Sequence, residues 1–292
     1  MTNLELETRI RKNPAVSTST VTTPALLDRF ESKYTIPLSM VEPIVQFILP
    51  YCSYDKYSAL SPDKYYRINS LYFDTPDFLF LRQRMLKAER RFNMRIRSYG
   101  DNPSFPYFFE IKQRIGDIVR KTRARVDDPE WAQYFSATKG LPPDSDDSKN
   151  STRRDLFYRT ALKYNAQPVV LVQYRRQAFF SNYDEYARVT FDINLRYKAQ
   201  KEYSPLPVEE MMVPCDLPVG SDSCSSVILE LKCYTSFVPL WMIDLVRAFN
   251  LQRTGFSKFS TCLRGVFTRY SFDGLFNRSK ASLSDEFFPE DV

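Results

Sequence analysis

Phe109-Glu110-Ile111-Lys112-Gln113-Arg114 alternates apolar and polar side chains almost one for one. Successive side chains of a β-strand point to opposite faces, so Glu110, Lys112 and Arg114 share one face while Phe109, Ile111 and Gln113 share the other. The charged face is either an ordinary solvated surface or part of a charged cavity. One strand does not decide between them, and for a single strand the solvated surface is the commoner case.

The same alternation recurs on both sides of this stretch. Upstream, Arg29, Glu31, Lys33 and Thr35 alternate with Phe30, Ser32, Tyr34 and Ile36, and Arg91, Asn93, Arg95 and Arg97 alternate with Phe92, Met94 and Ile96. Downstream, Lys121, Arg123 and Arg125 oppose Thr122, Ala124 and Val126. Further strands are expected over 66–74, over 168–176, over 188–195 with Arg188, Thr190 and Asp192 on one face, and over 227–234 with Glu230 and Lys232 on one face. Most connections are short, which makes neighbours antiparallel. Helical spacing marks 39–50, 77–87, 130–137, 152–164, 240–249 and 257–267. Pro205, Pro207, Pro214 and Pro218 break any pattern between 197 and 226, which reads as loop.

Across six such strands each charged face opposes an apolar one, and a solvated sheet explains this less well than a closed structure. The expected fold is α+β: an eight-stranded antiparallel β-barrel tunnel with helices packed outside and ionised side chains inside. Burying about ten cations without counter-charge costs many kcal/mol, so such a tunnel calls for a polyanionic ligand. Lys and Arg with a few Glu suit a chain of phosphates, where catalysis is positioning and charge neutralisation.

Composition narrows the chemistry. The 292 residues contain no His, which excludes Ser-His-Asp and Cys-His catalysis and histidine-ligated metals. Any metal would be held by oxygen, pointing to Mn²⁺ or Mg²⁺. Only seven Gly are present, and neither GxGxxG nor GxxxxGK[ST] occurs. Lys and Arg number 41 against 35 Asp and Glu, a weak pointer to an anionic partner. Five Cys without a CxxC pair read as free thiols in a reducing cytoplasm. Residues 1–27 read as a polar tail without a secretory signal, 28–272 as one domain and 273–292 as an acidic tail. No stretch approaches the roughly 18 apolar residues that cross a bilayer. A cytoplasmic location follows, with a membrane partner possible in principle.

Together, Arg29-Phe30-Glu31-Ser32-Lys33-Tyr34, Ser70-Leu71-Tyr72-Phe73-Asp74, Arg95-Ile96-Arg97-Ser98-Tyr99-Gly100, Phe109-Glu110-Ile111-Lys112, Leu229-Glu230-Leu231-Lys232 and Phe256-Ser257-Lys258-Phe259 resemble the VTC (vacuolar transporter chaperone) catalytic domain of the triphosphate tunnel metalloenzyme superfamily. The resemblance implies an eight-stranded tunnel and polyphosphate synthesis from ATP with Mn²⁺ or Mg²⁺. It places Lys33, Arg95, Arg97, Lys112, Arg123, Tyr174, Arg176, Arg188 and Lys258 against the triphosphate or growing chain and makes Glu230 the metal ligand. Lys232, Glu31 and Glu110 point into the same space by parity, and Lys121 and Arg125 extend the basic face, so Glu31 and Glu110 stand as secondary metal candidates and the three cations as substrate contacts. Three departures stand out: the superfamily's ExExK is reduced to Glu31-x-Lys33 with Arg29 in the first position, which argues against a simple triphosphatase; Arg123 stands where a Lys is familiar; and Gly255 precedes Phe-Ser-Lys. The eukaryotic polymerases also carry an SPX sensor and membrane helices, neither of which is seen in this sequence.

The alternatives are a triphosphate or nucleoside triphosphate hydrolase and a non-catalytic polyphosphate binder. Nucleic acid is disfavoured as a partner, because an enclosed tunnel admits no duplex and most of the aromatics read as core.

Overall fold

The structure, a computed structural model, describes residues 29–116, 118–144, 146–184, 186–215, 227–234 and 238–276. The tail expected over 1–27, residues 277–292 of the acidic tail and Cys224 lie outside the described residues.

The period-2 segments form strands: β1 (Arg29–Ile36), β2 (Cys52–Tyr54), β3 (Tyr66–Asp74), β4 (Arg90–Tyr99), β5 (Tyr107–Ile115), β6 (Ile118–Val126), β7 (Gln167–Ser181), β8 (Arg188–Ala199), β9 (Val213–Pro214) and β10 (Val227–Tyr234). The eight long strands make one antiparallel sheet in the order β1-β10-β8-β7-β3-β4-β5-β6, with β2 beside β7 and β9 beside β8. The sheet curls, and the closure expected from sequence is incomplete: among the described residues β1 and β6 end the path and do not pair with each other. An ion pair between Lys112 on β5 and Glu31 on β1, 3.3 Å, spans that seam.

Helices are α1 (Val41–Ile48), α2 (Lys56–Leu60), α3 (Leu79–Met85), α4 (Ser148–Tyr164), α5 (Leu240–Ala248) and α6 (Lys258–Phe276). The five-residue α2 has no helical period long enough to be read from sequence; Asp55 caps it by accepting from the Ser58 amide at 2.7 Å. The helix expected over 130–137 is a 3₁₀ turn at Trp131–Phe135, and α4 begins at Ser148, ahead of the helix expected from residue 152. The segment expected to be loop after Tyr197 is mostly loop among the described residues; its first three residues extend β8 to Ala199, and Glu209–Met211 and Val213–Pro214 form a 3₁₀ turn and the short β9. The helix expected over 257–267 runs on to Phe276, beyond the 272 boundary.

The apolar faces of the strands are covered in two groups. Tyr34, Ile36, Val189, Phe191, Val227, Leu229 and Leu231 pack with Ile44, Val45 and Ile48 of α1 and Trp241 and Leu245 of α5. Leu71, Phe73, Met94, Ile96, Phe109, Ile111, Ala124 and Val126 pack with Phe157, Tyr158 and Ala161 of α4. The charged faces are thereby turned to the concave side.

α6 differs from the other helices. Lys258 at its start reaches Asp192, Phe259 lies on the Tyr72 ring at 5.2 Å, and a Cβ on Gly265 would meet the Tyr197 hydroxyl at 2.6 Å. Tyr72 and Asp192 belong to the charged face, so α6 starts on the concave side.

Phe109 is 1% exposed and touches the rings of Trp131, Phe157 and Tyr158. Phe109→Ala should lower the stability of the fold by about 3–5 kcal/mol in urea unfolding; a loss below about 1 kcal/mol would show that α4 does not hold the apolar face of β5.

Candidate functional site

Directly opposed residues in an antiparallel pair share a face. Lys33 lies opposite Glu230, Glu31 opposite Lys232, Asp192 opposite Arg176, Arg95 opposite Glu110, and Glu110 opposite Arg123. The charged positions of seven strands therefore meet inside the curl.

They are joined by ion pairs around two buried carboxylates. Glu230, 4% exposed, has Lys232 at 2.6 Å, Lys33 at 3.4 Å, Lys258 at 3.5 Å and Arg176 at 3.9 Å. Glu110, 1% exposed, has Arg95 and Lys121 at 2.7 Å, Arg123 at 3.6 Å and Arg97 at 3.9 Å. Burial alone would raise both acids, but the surrounding cations outweigh it and hold each carboxyl well below the usual range. Asp192, 1% exposed, pairs with Arg176 Nε at 2.6 Å and Lys258 Nζ at 2.6 Å. Tyr174 connects the two centres: its hydroxyl accepts from Arg97 at 3.3 Å and its ring lies under Arg176 and Lys258.

Glu31 lies 3.2 Å from Lys33 and 3.3 Å from Lys112. Burial and the neighbouring Glu230 push its pKa up, Lys232, Lys112 and Lys33 pull it down, and the outcome is a fall from 4.5 to about 2. Lys121 moves the other way: burial lowers it, Glu110 only partly restores it, and Arg95 and Arg97 repel it, leaving it at about 7.

Nine cations thus join the ion-pair network of the concave side, Lys33, Arg95, Arg97, Lys112, Lys121, Arg123, Arg176, Lys232 and Lys258, with four carboxylates, Glu31, Glu110, Asp192 and Glu230. Several buried hydrogen-bonding atoms there have no partner: Arg97 Nε, Arg188 Nε, Ser70 Oγ and Thr190 Oγ1. Ser70 is opposite Arg97 and Thr190 opposite Glu230, so all of them face the same interior.

Two expected contacts stand apart. Arg125 lies at the end of β6, with its side chain 61% exposed and bonded to Asp127 at 2.8 Å, outside the network; its parity is right but the strand ends there. Arg188 is opposite Lys232 but makes no ion pair among the described residues; its guanidinium stacks on Phe180 at 4.3 Å and Tyr186 at 5.1 Å. Asp192 is the functional residue that sequence reasoning left out of the site. Its shared parity with Arg188 was the available signal, whereas its partner Lys258 lies far along the chain.

The three acids expected to bind metal are not gathered in one place. Among the described residues no three Asp, Glu or Cys side chains are grouped to hold an ion. Glu110 is enclosed by four cations distinct from those of Glu31 and Glu230. Glu31 and Glu230 do share Lys33, and a divalent ion bound to phosphate commonly takes one or two carboxylates from the protein. The donor set of that pair fits Mg²⁺ or Mn²⁺.

The domain is a curled antiparallel sheet with helices outside and a cation-rich concave side. The chain belongs to the VTC domain family, which it matches over residues 28–267. It is 23% identical over 296 residues to the vacuolar transporter chaperone complex subunit 4 of Trypanosoma cruzi; the match takes in 90% of this chain and spans 36% of that relative's length. Among solved structures, a Bacillus halodurans protein described as a candidate adenylate cyclase aligns with a TM-score of 0.45 and 11% identity, over 79% of this chain and 95% of that one. Among the described residues no helix is long and apolar enough to cross a membrane.

The folded pKa of Glu31 lies below its unfolded value, so its ion pairs stabilise the fold above about pH 4.5 and that contribution is lost as the pH falls toward 2. Urea midpoints measured between pH 5 and 2 should fall more steeply for the wild type than for Glu31→Gln. Equal slopes would remove Glu31 from the network.

Proposed function

We propose that this domain is a polyphosphate polymerase: it binds ATP by its triphosphate on the concave side and transfers the terminal phosphoryl group to a phosphate or polyphosphate acceptor. The observation that carries this reading is the excess of nine cations over four carboxylates, together with the unpartnered polar atoms of Arg97, Arg188, Ser70 and Thr190. A buried excess of positive charge is costly until an anion enters, and a chain of phosphates supplies charge at intervals along its length.

The reaction needs no protein nucleophile. A terminal oxygen of the acceptor attacks the γ-phosphorus of ATP, the bond from that phosphorus to the β,γ-bridging oxygen breaks, and ADP leaves with the electron pair. Arg95, Arg97, Arg123, Arg176 and Lys258 hold the donor phosphates and meet the charge that develops on the transferred group. Lys33, Lys112, Lys121 and Lys232 hold the acceptor side. Lys121, held near neutrality by burial, gains its proton more readily when phosphate replaces the repelling field of Arg95 and Arg97. Glu110 and Asp192 orient the arginines. Mn²⁺ or Mg²⁺, held by Glu230 with Glu31, would neutralise charge on the phosphate oxygens.

The Trypanosoma cruzi relative is a subunit of a vacuolar transporter chaperone complex, and the proposal extends to partner subunits for this chain. Purified protein given ATP and Mn²⁺ should form acid-labile polymer that exopolyphosphatase digests. Release of orthophosphate alone would replace the reading with a hydrolase. Glu230→Gln, which keeps the side-chain volume, should lower turnover roughly a hundredfold while retaining tripolyphosphate binding; unchanged turnover would remove Glu230 from the chemistry, and binding without turnover in the wild type would leave a non-catalytic binder.

A further inference from the structure

The charged interior is continued at one end of β3–β5 by aromatic rings. Tyr66, Tyr99 and Phe108 occupy the concave face beside the arginines: Tyr66 is directly opposite Arg176, Phe108 is directly opposite Arg97, and Tyr99 lies two residues beyond Arg97 on β4. Tyr66 and Tyr99 lie 6.4 Å apart, and Tyr99 and Phe108 5.6 Å. Tyr57 of α2 leans over them, parallel to Tyr99 within 7° at 6.1 Å and 5.4 Å from Tyr66.

Tyr57 is 52% exposed, yet its position is fixed. Asp55 accepts from the Ser58 amide at 2.7 Å and from the Tyr66 hydroxyl at 3.1 Å, and Ser58 Oγ accepts from the Ala178 amide at 2.9 Å. The short helix is thus tied both to the platform and to β7, and it holds the half-exposed Tyr57 ring at the edge of the group, with Lys56 Nζ 5.9 Å from its centroid.

Arg123 joins this group to the phosphate-binding centre. Its guanidinium is 3.6 Å from Glu110, stacks on Phe108 at 3.8 Å and donates to the Tyr99 hydroxyl at 3.2 Å. A ligand held by Arg97 and Arg123 therefore has a rigid aromatic surface directly beyond its anionic part. Phosphate has no π face, so these rings add nothing to the binding of a bare polyphosphate chain. A planar heterocycle joined to a triphosphate uses both parts of the surface.

We infer that Tyr57, with Tyr66 and Tyr99 behind it, is the stacking platform for the base of the nucleoside triphosphate donor. The inference rests on the reading that the concave side takes the donor's triphosphate, and it adds a site that separates a nucleotide donor from a bare phosphate chain. Stacking on an aromatic side chain is tolerant of base identity, so the platform selects for a base without selecting which one.

Calorimetric titration of the full chain with ATP and with tripolyphosphate, at one salt and Mg²⁺ concentration, tests it. Tyr57→Ala should weaken ATP about tenfold and leave tripolyphosphate within about twofold. Tyr57→Phe, which keeps the ring, should bind ATP as the wild type does. Equal effects of Tyr57→Ala on both ligands, or none on either, would overturn the platform, as would an equal loss in Tyr57→Phe. The polymerase reading fails separately, by absence of polymer while the ATP-selective effect of Tyr57→Ala persists.

Discussion

Glu230 and Glu110 each sit almost wholly buried among four cations, and the architecture depends on that arrangement. Removing a carboxylate from such a centre leaves several charges uncompensated in a half-buried cavity, where each costs far more than at the surface. Glu230 draws together β1, β7, β10 and α6, and Glu110 draws together β4, β5 and β6. These two centres set the shape of the interior, and Tyr174 and Arg97 connect them.

This arrangement is possible because the opposite face of the sheet is largely apolar and covered, apart from a polar network of Arg67, Asn69, Gln173 and Arg196 with Glu209. Burial of Phe109, Phe191, Leu229 and their neighbours under α1, α4 and α5 supplies the favourable free energy against which the charge cluster is held. The same division explains why the sheet curls with its ionised side inward. Among the described residues the seam between β1 and β6 is crossed by the Lys112–Glu31 pair rather than by a ladder, an electrostatic contact of the kind that salt screens.

The four carboxylates organise the cations without neutralising them. An interior that is fully paired would resist a polyanion; this one keeps an excess of charge and several donors that lack partners. Phosphoryl transfer suits such a site because it asks for positioning and charge compensation more than for a base or nucleophile, consistent with a chain that has no histidine. Glu31 and Glu230 share Lys33, and Asp192 and Glu230 share Lys258, so three of the four carboxylates are linked through common lysines.

Strand alternation was legible because a period of two needs only local sequence, and it placed Glu31, Lys33, Arg95, Arg97, Glu110, Lys112, Lys121, Arg123, Glu230 and Lys232 on one face before any strand order was known. The absence of histidine likewise limited the chemistry from the sequence alone. Pairing was not legible, because it depends on contacts distant in the chain. Lys258 meets Asp192 only because α6 enters the concave side, and Asp192 meets Arg176 because β8 carries its extra residue just beyond, with Asn194 at φ 52° where the register shifts against β7. The same parity that brought Arg123 into the network left Arg125 outside it, since the strand ends first. The sequence by itself determined which side chains could face inward; the tertiary structure decided which carboxylate answers which cation, because that is a matter of distance in three dimensions and not of order along the chain.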